Sequence, residues 1–202
     1  MTIKIKIKDR YAQAITYDQL GRVELALGEH IKARQYHQEA LAIYREYHDF
    51  RSQARVHHNL GRLEQDLKEY DEAYKNYQQA LAIKIEHDDP CSQILTINNL
   101  GCMAQELQKY DEAKQRHQQA LAICIEYQDR YNLAYAYQNL GCVEEKLENY
   151  QEAQNNFLQS LNIWWLEFKD EYNVIFFALP SLYRIYEATQ DKKLGSIGVS
   201  GR

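Results

Sequence analysis

The chain has 202 residues, of which 26% are charged and 45% hydrophobic, and its formal net charge is −5. Because the charges are spread along the chain, they argue against a basic nucleic-acid groove and a cationic membrane face. No apolar run reaches the ~20 residues of a membrane span, and no secretory signal follows Met1. With only 2 prolines and 8 glycines, long helices in a soluble, cytoplasmic protein are predicted.

A period of 40 residues organises the chain. The sequence Gln19-Leu20-Gly21 recurs as Asn-Leu-Gly, and columns of leucine and alanine keep the same spacing. Within each unit, apolar residues recur three and four positions apart, which predicts two helices, A and B, joined by a short turn. The predicted units are 9–48, 49–88, 89–128 and 129–169.

Residues 1–8 precede the first unit and alternate apolar with charged side chains, a pattern typical of a half-buried strand. The period instead aligns Ile3 with Ile43, Ile83 and Ile123, which lie at the ends of B helices. We therefore predict that residues 1–8 are the remnant of a preceding B helix. The accompanying hypothesis is that the chain was cut from a longer array.

Each A helix is preceded by an aspartate and contains a glycine. Asp9, Asp49, Asp89 and Asp129 are predicted N-caps, each worth roughly 1 kcal/mol. A glycine inside a helix costs about 1 kcal/mol relative to alanine, so a compensating gain is expected from close approach of the B helix. The alanines of helix B are expected to face that seam. The predicted structural residues are Gly21, Gly61, Gly101, Gly141, Ala33, Ala73, Ala113 and Ala153.

The carboxyl end departs from the period. Residues 170–191 resemble another A helix, but Tyr183 stands where the glycine should be, which favours a terminal capping helix. Pro180 is expected to kink this helix. Residues 192–202 are rich in glycine and serine and are predicted to be a disordered tail or a remnant of cloning.

No pattern of residues points to catalysis. The four cysteines lack CxxC spacing, and without a secretion signal they are expected to be reduced, although an even count also permits disulfides. His57 and His58 are adjacent and do not face one another on a helix, so they are not expected to share a metal. No P-loop, nucleophile elbow, HExxH or GxGxxG occurs. The sequence predicts no enzyme, no cofactor and no metal.

The Leu-Gly pair and later leucine of helix A, together with the two alanines of helix B, resemble the tetratricopeptide repeat over residues 9–168. The 40-residue form is similar to the repeats of kinesin light chains and of bacterial regulatory ATPases and protease systems. The resemblance implies an all-α fold, a right-handed α-solenoid of antiparallel helix pairs with a concave groove lined by A helices. The sequence departs from the family's aromatic positions at Glu24, Glu64, Ala104, Glu144, His37 and His117.

Residues around the Leu-Gly pair are predicted to face this groove. The resemblance places a peptide-binding asparagine at Asn59, Asn99 and Asn139, whose amides can pair with a peptide backbone, or else bond within the scaffold or to water. The nearby arginines can dock a carboxylate bidentately, or else are ordinary surface charge. Asp18 stands where the chaperone-type carboxylate clamp needs lysine, so that clamp is not matched. The predicted ligand-binding residues are Asn59, Asn99, Asn139, His58, Asn98, Gln138, Arg22, Arg55, Arg62, Gln65, Gln105 and Tyr135.

The predicted function is a protein–protein interaction module that binds a peptide or partner segment in the groove. One alternative is a sensor or autoinhibitory array of a larger regulatory ATPase or protease system. Another is a scaffold that assembles through its terminal faces, including a homodimer through C-terminal aromatics such as Trp164 and Trp165. Nucleic acid and membranes are not expected as partners.

Overall fold

The structure is a computed structural model that describes residues 2–87, 90–169, 171–173, 177 and 179–199; for residues 2–8, 171 and 191–199 it describes the backbone only. The described residues form helices and turns, as the sequence predicts. In chain order the helices are α1 (Thr2–Ala26), α2 (His30–Glu46), α3 (Phe50–Asp66), α4 (Tyr70–His87), α5 (Pro90–Glu106), α6 (Tyr110–Glu126), α7 (Arg130–Lys146), α8 (Tyr150–Asn162), a π-helix (Ile163–Phe168), α9 (Glu171–Asn173) and α10 (Leu179–Val199).

The chain divides into two compact units, residues 1–107 and 108–202. In the first unit α1 packs on α2, α2 on α3, α3 on α4, and α4 on α5. In the second unit α6 packs on α7, α7 on α8, and α8 on α10. Within each unit, helices joined by short turns pack pairwise, so the all-α prediction of antiparallel helix pairs is confirmed.

The turns between helices use residues in the left-handed region of backbone space. Gly28, Lys68, Gln108 and Glu148 occupy the same position one period apart, with φ values of 78°, 61°, 59° and 61°. The N–H of the following residue bonds back into the preceding helix, as in Glu69 N to Glu64 O at 2.8 Å. These bonds satisfy carbonyls that a helix end leaves open.

Two of the four predicted aspartate caps are confirmed. Asp49 accepts a hydrogen bond from Ser52 N at 3.0 Å, and Asp129 accepts one from Asn132 N at 3.1 Å. Asp49 also accepts a hydrogen bond from the Tyr11 hydroxyl of α1 at 2.6 Å. Asp89 lies outside the described residues.

The prediction of a cap at Asp9 is wrong, because α1 runs without a break from Thr2 to Ala26 and Asp9 lies inside it. The physical reason is that continuing a helix adds one hydrogen bond per residue, whereas a turn is favoured only when packing compensates for it. The origin of residues 1–8 as the remnant of a B helix stays a prediction; Met1 lies outside the described residues.

The carboxyl end also differs from its prediction. The helix predicted over 170–191 corresponds to α10, which begins at Leu179 and continues to Val199, so residues 192–199 are helical and 200–202 lie outside the described residues. Pro180 lies in the first turn of α10, where its missing N–H costs nothing. The kink expected at Pro180 stays a prediction. Ile185 of α10 is buried against Ala153 and Phe157 of α8.

Candidate functional site

In three of the A helices, the glycine is in close contact with an aromatic ring of the following B helix. A Cβ built on Gly61 would lie 2.9 Å from Cδ1 and Cε1 of Tyr77, and one built on Gly21 would lie 2.7 Å from Nδ1 of His37. A Cβ on Gly141 would overlap the ring of Phe157. The predicted close approach is confirmed.

The alanines of helix B were also expected to face this seam, and Ala33 of α2 packs with Leu25 of α1. A ring, and not an alanine, occupies the space opposite each of the three glycines described above. The alanines of the column are fully buried, and Gly101 is buried as well. The fully buried alanines are Ala33, Ala73, Ala113 and Ala153.

Many of the residues predicted to face the groove lie together on the first unit. A cavity of about 710 Å³ has Arg22, Asn59 and Arg62 among its lining residues. A neighbouring cavity of about 390 Å³ shares Arg62 with it. The predicted residues that line this second cavity are His58, Arg62, Gln65 and Asn99.

Arg55 is held by a carboxylate within the first unit. Its Nε lies 2.9 Å from Oδ2 of Asp18, and its guanidinium carbon lies 6.0 Å from the ring centre of Tyr44. Asp18 is 4% exposed. Burial alone would raise the pKa of Asp18, but His37 and the Arg55 guanidinium outweigh burial and lower it. Arg55 is therefore committed to the scaffold.

Arg22 and Arg62 differ from Arg55 in this respect. Both are exposed on the cavity surface. Neither forms an ion pair with any carboxylate whose side chain the structure describes. Two guanidinium groups in one cavity can bind a carboxylate with paired N–H donors.

Two polar side chains near these arginines form hydrogen bonds within the first unit. His58 Nδ1 lies 3.1 Å from Oγ1 of Thr96, and its ring packs edge-on against Tyr77. Burial, with the charges of Lys84 and Arg62, lowers the pKa of His58 to about 4, so its ring is neutral at pH 7. Gln65 accepts a hydrogen bond from the Tyr77 hydroxyl at 3.0 Å.

The three asparagines of the ladder have different surroundings. Asn59 is 7% exposed, and its Nδ2 lies 3.4 Å from Oδ1 of Asp18. Asn99 and Asn139 are half-buried, Asn99 in the first unit and Asn139 in the second. Asn98 is buried and Gln105 half-buried, both in the first unit.

In the second unit, the predicted ligand-binding residues Gln138 and Tyr135 make contacts within the unit. Gln138 Nε2 donates a hydrogen bond to Oγ of Ser181 at 3.1 Å and so ties α7 to α10. The ring of Tyr135 lies 4.9 Å from that of Trp164 and 5.3 Å from that of Tyr131, in edge-to-face contacts. Such pairs contribute about 0.5–1.5 kcal/mol beyond burial.

The role of Asp18 in holding Arg55 was not predicted from the sequence. The two residues lie 37 positions apart in different A helices, so no helical spacing relates them. The sequence placed Asp18 in the groove-facing column, as ordinary surface charge near these arginines and as a mismatch to the lysine of the clamp. An acidic residue in a groove-facing column, with an arginine in the next repeat, is the signal that could have revealed the pair.

In its described part, the chain shows neither a metal site nor a disulfide nor a membrane span. No three histidine, cysteine or acidic side chains there are placed to hold a metal ion. No disulfide joins Cys91, Cys102, Cys124 or Cys142, all of which are described. Among the described helices, none combines the length and the apolar character needed to cross a bilayer.

A sequence model of the tetratricopeptide repeat matches residues 12–86 and 93–164, which is more than half of the chain. The chain belongs to the tetratricopeptide repeat family. Tetratricopeptide repeats are in general non-catalytic modules of protein–protein interaction. No curated protein matches the sequence.

Solved structures with tetratricopeptide repeats share the fold. A signal transduction ATPase with numerous domains (STAND) from Pyrococcus horikoshii, which has a tetratricopeptide repeat sensor, is similar with a TM-score of 0.82 and 19% identity over 89% of this chain. RapI in its apo form is similar with a TM-score of 0.80 and 18% identity over 97% of this chain. The chain spans only 28% and 55% of these two proteins.

A third similar structure consists almost wholly of repeats. It contains nearly identical TPR-like repeats of a kinesin light chain candidate from Podosopora anserina. It matches with a TM-score of 0.74 and 17% identity, over 95% of this chain and 93% of its own. At these identities the likeness concerns the fold of the tetratricopeptide repeats alone.

Proposed function

We propose that the chain is a non-enzymatic interaction module whose first unit binds an acidic peptide segment along α1, α3 and α5. The observation that carries this proposal is the cavity of about 710 Å³ in which Arg22 and Arg62 flank Asn59. Two guanidinium groups without an ion-pair partner among the described carboxylates offer strong, directional donors to an acidic side chain.

The surroundings of the arginines suit an extended peptide. Asn99 carries a donor and an acceptor that can pair with a peptide backbone without reading its sequence. Ile15 and Leu95 are 41% and 56% exposed on the same helices and offer apolar contact to alternate side chains. Arg55 lies next to the site and is paired with Asp18. Arg55 therefore supports the structure around the site and is not expected to bind the peptide itself.

The test uses a random 12-residue peptide library displayed on phage, selected against the 202-residue chain. Enriched peptides are expected to contain aspartate or glutamate, and a synthetic copy should bind less tightly as salt is added. The Arg22→Ala/Arg62→Ala variant should lose about 100-fold or more in affinity, because it removes at least two charged hydrogen bonds that contribute about 1.5–3 kcal/mol each. Isothermal titration calorimetry measures the change.

Arg45→Ala/Arg116→Ala is the matched control, since both arginines lie on B helices, and it should bind as the parent does. The Asn59→Ala/Asn99→Ala/Asn139→Ala variant should also lose the peptide while keeping its helical circular dichroism. Enriched peptides without acidic residues, or equal binding by the Arg22→Ala/Arg62→Ala variant, would contradict the proposal.

A second candidate function is a sensor array within a larger regulatory ATPase or protease system. It is favoured by the similarity of fold to the STAND protein with its tetratricopeptide repeat sensor, of which this chain spans 28%. In that arrangement, ligand capture by the repeats would control an attached enzyme. The full gene should then encode a nucleotide-binding or protease domain in the same reading frame; a gene that encodes repeats alone would exclude this candidate.

A further inference from the structure

One face of α1 is exposed at positions that are buried in the other A helices. Leu20 is 38% exposed and Val23 is 54% exposed. Their equivalents one period apart are at most 5% exposed: Leu60, Leu100 and Leu140, and Leu63, Met103 and Val143. Gln13 and Thr16, on the same stripe, are exposed too, whereas their equivalents are buried. The buried equivalents are Gln53, Gln93, Leu133, Val56, Thr96 and Ala136. We refer to Gln13, Thr16, Leu20 and Val23 as the α1 stripe.

In the first unit, a B helix covers the stripe that corresponds to this one. Val56 and Leu60 of α3 belong to one buried cluster with Ala40, Leu41 and Tyr44 of α2. Leu63 of α3 is buried together with Ala33 of α2. The α1 stripe therefore has the chemistry of a surface that receives a helix like α2.

A column of glutamates next to the stripe gives independent evidence that the docking helix carries a cationic side chain. Glu144 is 4% exposed, and its Oε1 lies 2.7 Å from Nζ of Lys114 on the preceding B helix. Glu64 is its equivalent in α3; burial raises the pKa of Glu64, while the Asn76 amide and the charge of Arg34 on α2 oppose that rise. A buried glutamate of helix A thus pairs with a cation of the preceding B helix at the α6–α7 junction. At the α2–α3 junction the cation acts on Glu64 through its charge, while its guanidinium pairs with Glu69 at 2.7 Å.

The same column is neutral at the junction between α4 and α5. There the residues equivalent to the cation and the carboxylate are Tyr74 and Ala104, so both charges are absent together. Glu24 is the member of the column on α1. It makes no ion pair or side-chain hydrogen bond with any residue whose side chain the structure describes.

We infer that the α1 stripe is the docking face for an amphipathic helix of the α2 type, with a lysine or arginine at the position of Arg34 to pair with Glu24. The helix would present small and apolar residues in the spacing of Ala33, Ala40 and Tyr44. A second copy of the chain would present the same stripe, which contains no cation for Glu24. The stripe shares Val23 with the wall of the cavity of about 710 Å³, whereas Arg22, Asn59 and Arg62 of the proposed peptide site lie outside the stripe.

The test uses a labelled, end-capped peptide of residues 30–47, whose helicity is followed by circular dichroism, titrated with the 202-residue chain by fluorescence anisotropy. Saturable binding is expected. Val23→Asp should weaken it about tenfold or more, because a charge would be buried against apolar side chains. Ile85→Asp, at an exposed isoleucine of α4, is the matched control and should bind as the parent does.

A charge exchange tests the role of Glu24 separately. Glu24→Lys should weaken binding of the parent peptide by about fivefold, and an Arg34→Glu peptide should restore it. Absence of saturable binding, or binding that Val23→Asp leaves unchanged, would overturn the inference. So would a dimer in sedimentation that Val23→Asp dissociates, because a second copy would then occupy the stripe.

Discussion

One position of the B helix decides how closely it approaches its A helix. His37, Tyr77, His117 and Phe157 occupy this position in the four repeats, and all are fully buried. In the three repeats where the contact is described, the ring lies on the backbone of a glycine. The dispersion contacts of the buried ring thereby offset the free-energy cost of a glycine inside a helix.

Gly61→Ala is expected to destabilise the protein by about 1–3 kcal/mol, although alanine is the better helix former. Its Cβ would lie 2.9 Å from the Tyr77 ring. Gly141→Ala should cost more, since its Cβ would overlap the ring of Phe157. Urea unfolding measures which of the two variants loses more free energy of unfolding. A rise in stability for either variant would contradict the packing described.

His117, at this position, and His58 of α3 give the fold a dependence on acid. Burial lowers the pKa of His117 to about 4, and that of His58 to the same value. Because each folded-state pKa lies below the unfolded value of about 6.5, the unfolded chain binds more protons between these pH values. Stability is therefore complete above about pH 6.5 and is lost as the pH falls toward 4.

His117→Phe is expected to remove the share of this loss due to His117, which is on the order of 3 kcal/mol. The chain itself places phenylalanine at the equivalent Phe157. Urea midpoints measured at pH 7 and pH 4.5 should differ less in the variant than in the parent. His87→Phe, at an exposed histidine, should keep the parental difference; a variant at 117 that also keeps it would refute the assignment.

In the described turns, helices end where a residue adopts the left-handed conformation, and among these positions Gly28 alone is a glycine. The 40-residue period predicted helices A and B and their turns, because packing against neighbours repeats with the sequence. It did not predict the unbroken α1 or the extent of α10, since there no neighbouring hairpin enforces a turn. Arg22 and Arg62 were found by counting from the Leu-Gly pair, whereas the Asp18–Arg55 pair depends on contact between repeats.

Gly28→Ala should destabilise the protein by about 1 kcal/mol. The cause is backbone strain alone, because φ is 78° and no atom lies within 4 Å of the added Cβ. The reciprocal change, Lys68→Gly at φ 61°, should be neutral or stabilising by a few tenths of a kcal/mol. Thermal melts followed by circular dichroism compare the two, and destabilisation by Lys68→Gly equal to that of Gly28→Ala would contradict the argument.

At the scale of the molecule, the second unit exposes a band of apolar side chains. Trp165 is 51% exposed, Leu166 62% and Tyr172 62%, while Trp164 beside them is buried. We propose that these exposed side chains support self-association of the chain, because exposed apolar patches favour contact with another protein.

Light scattering coupled to gel filtration should therefore show a mass that rises with concentration. Trp165→Asp should lower that mass, because a carboxylate would have to be desolvated on association. Ile31→Asp, at an exposed isoleucine of the first unit, should leave it unchanged. A mass equal to the monomer at every concentration would exclude this association.

The shared carboxylate of Asp49 has a consequence for how the amino end responds to damage. It closes the first turn of α3 and at the same time accepts the hydroxyl of Tyr11 on α1. Proteolytic trimming of α1 would remove one of these two anchors. The loss would destabilise the first turn of α3, one hairpin further along the chain, although none of the peptide bonds of α3 has been cut.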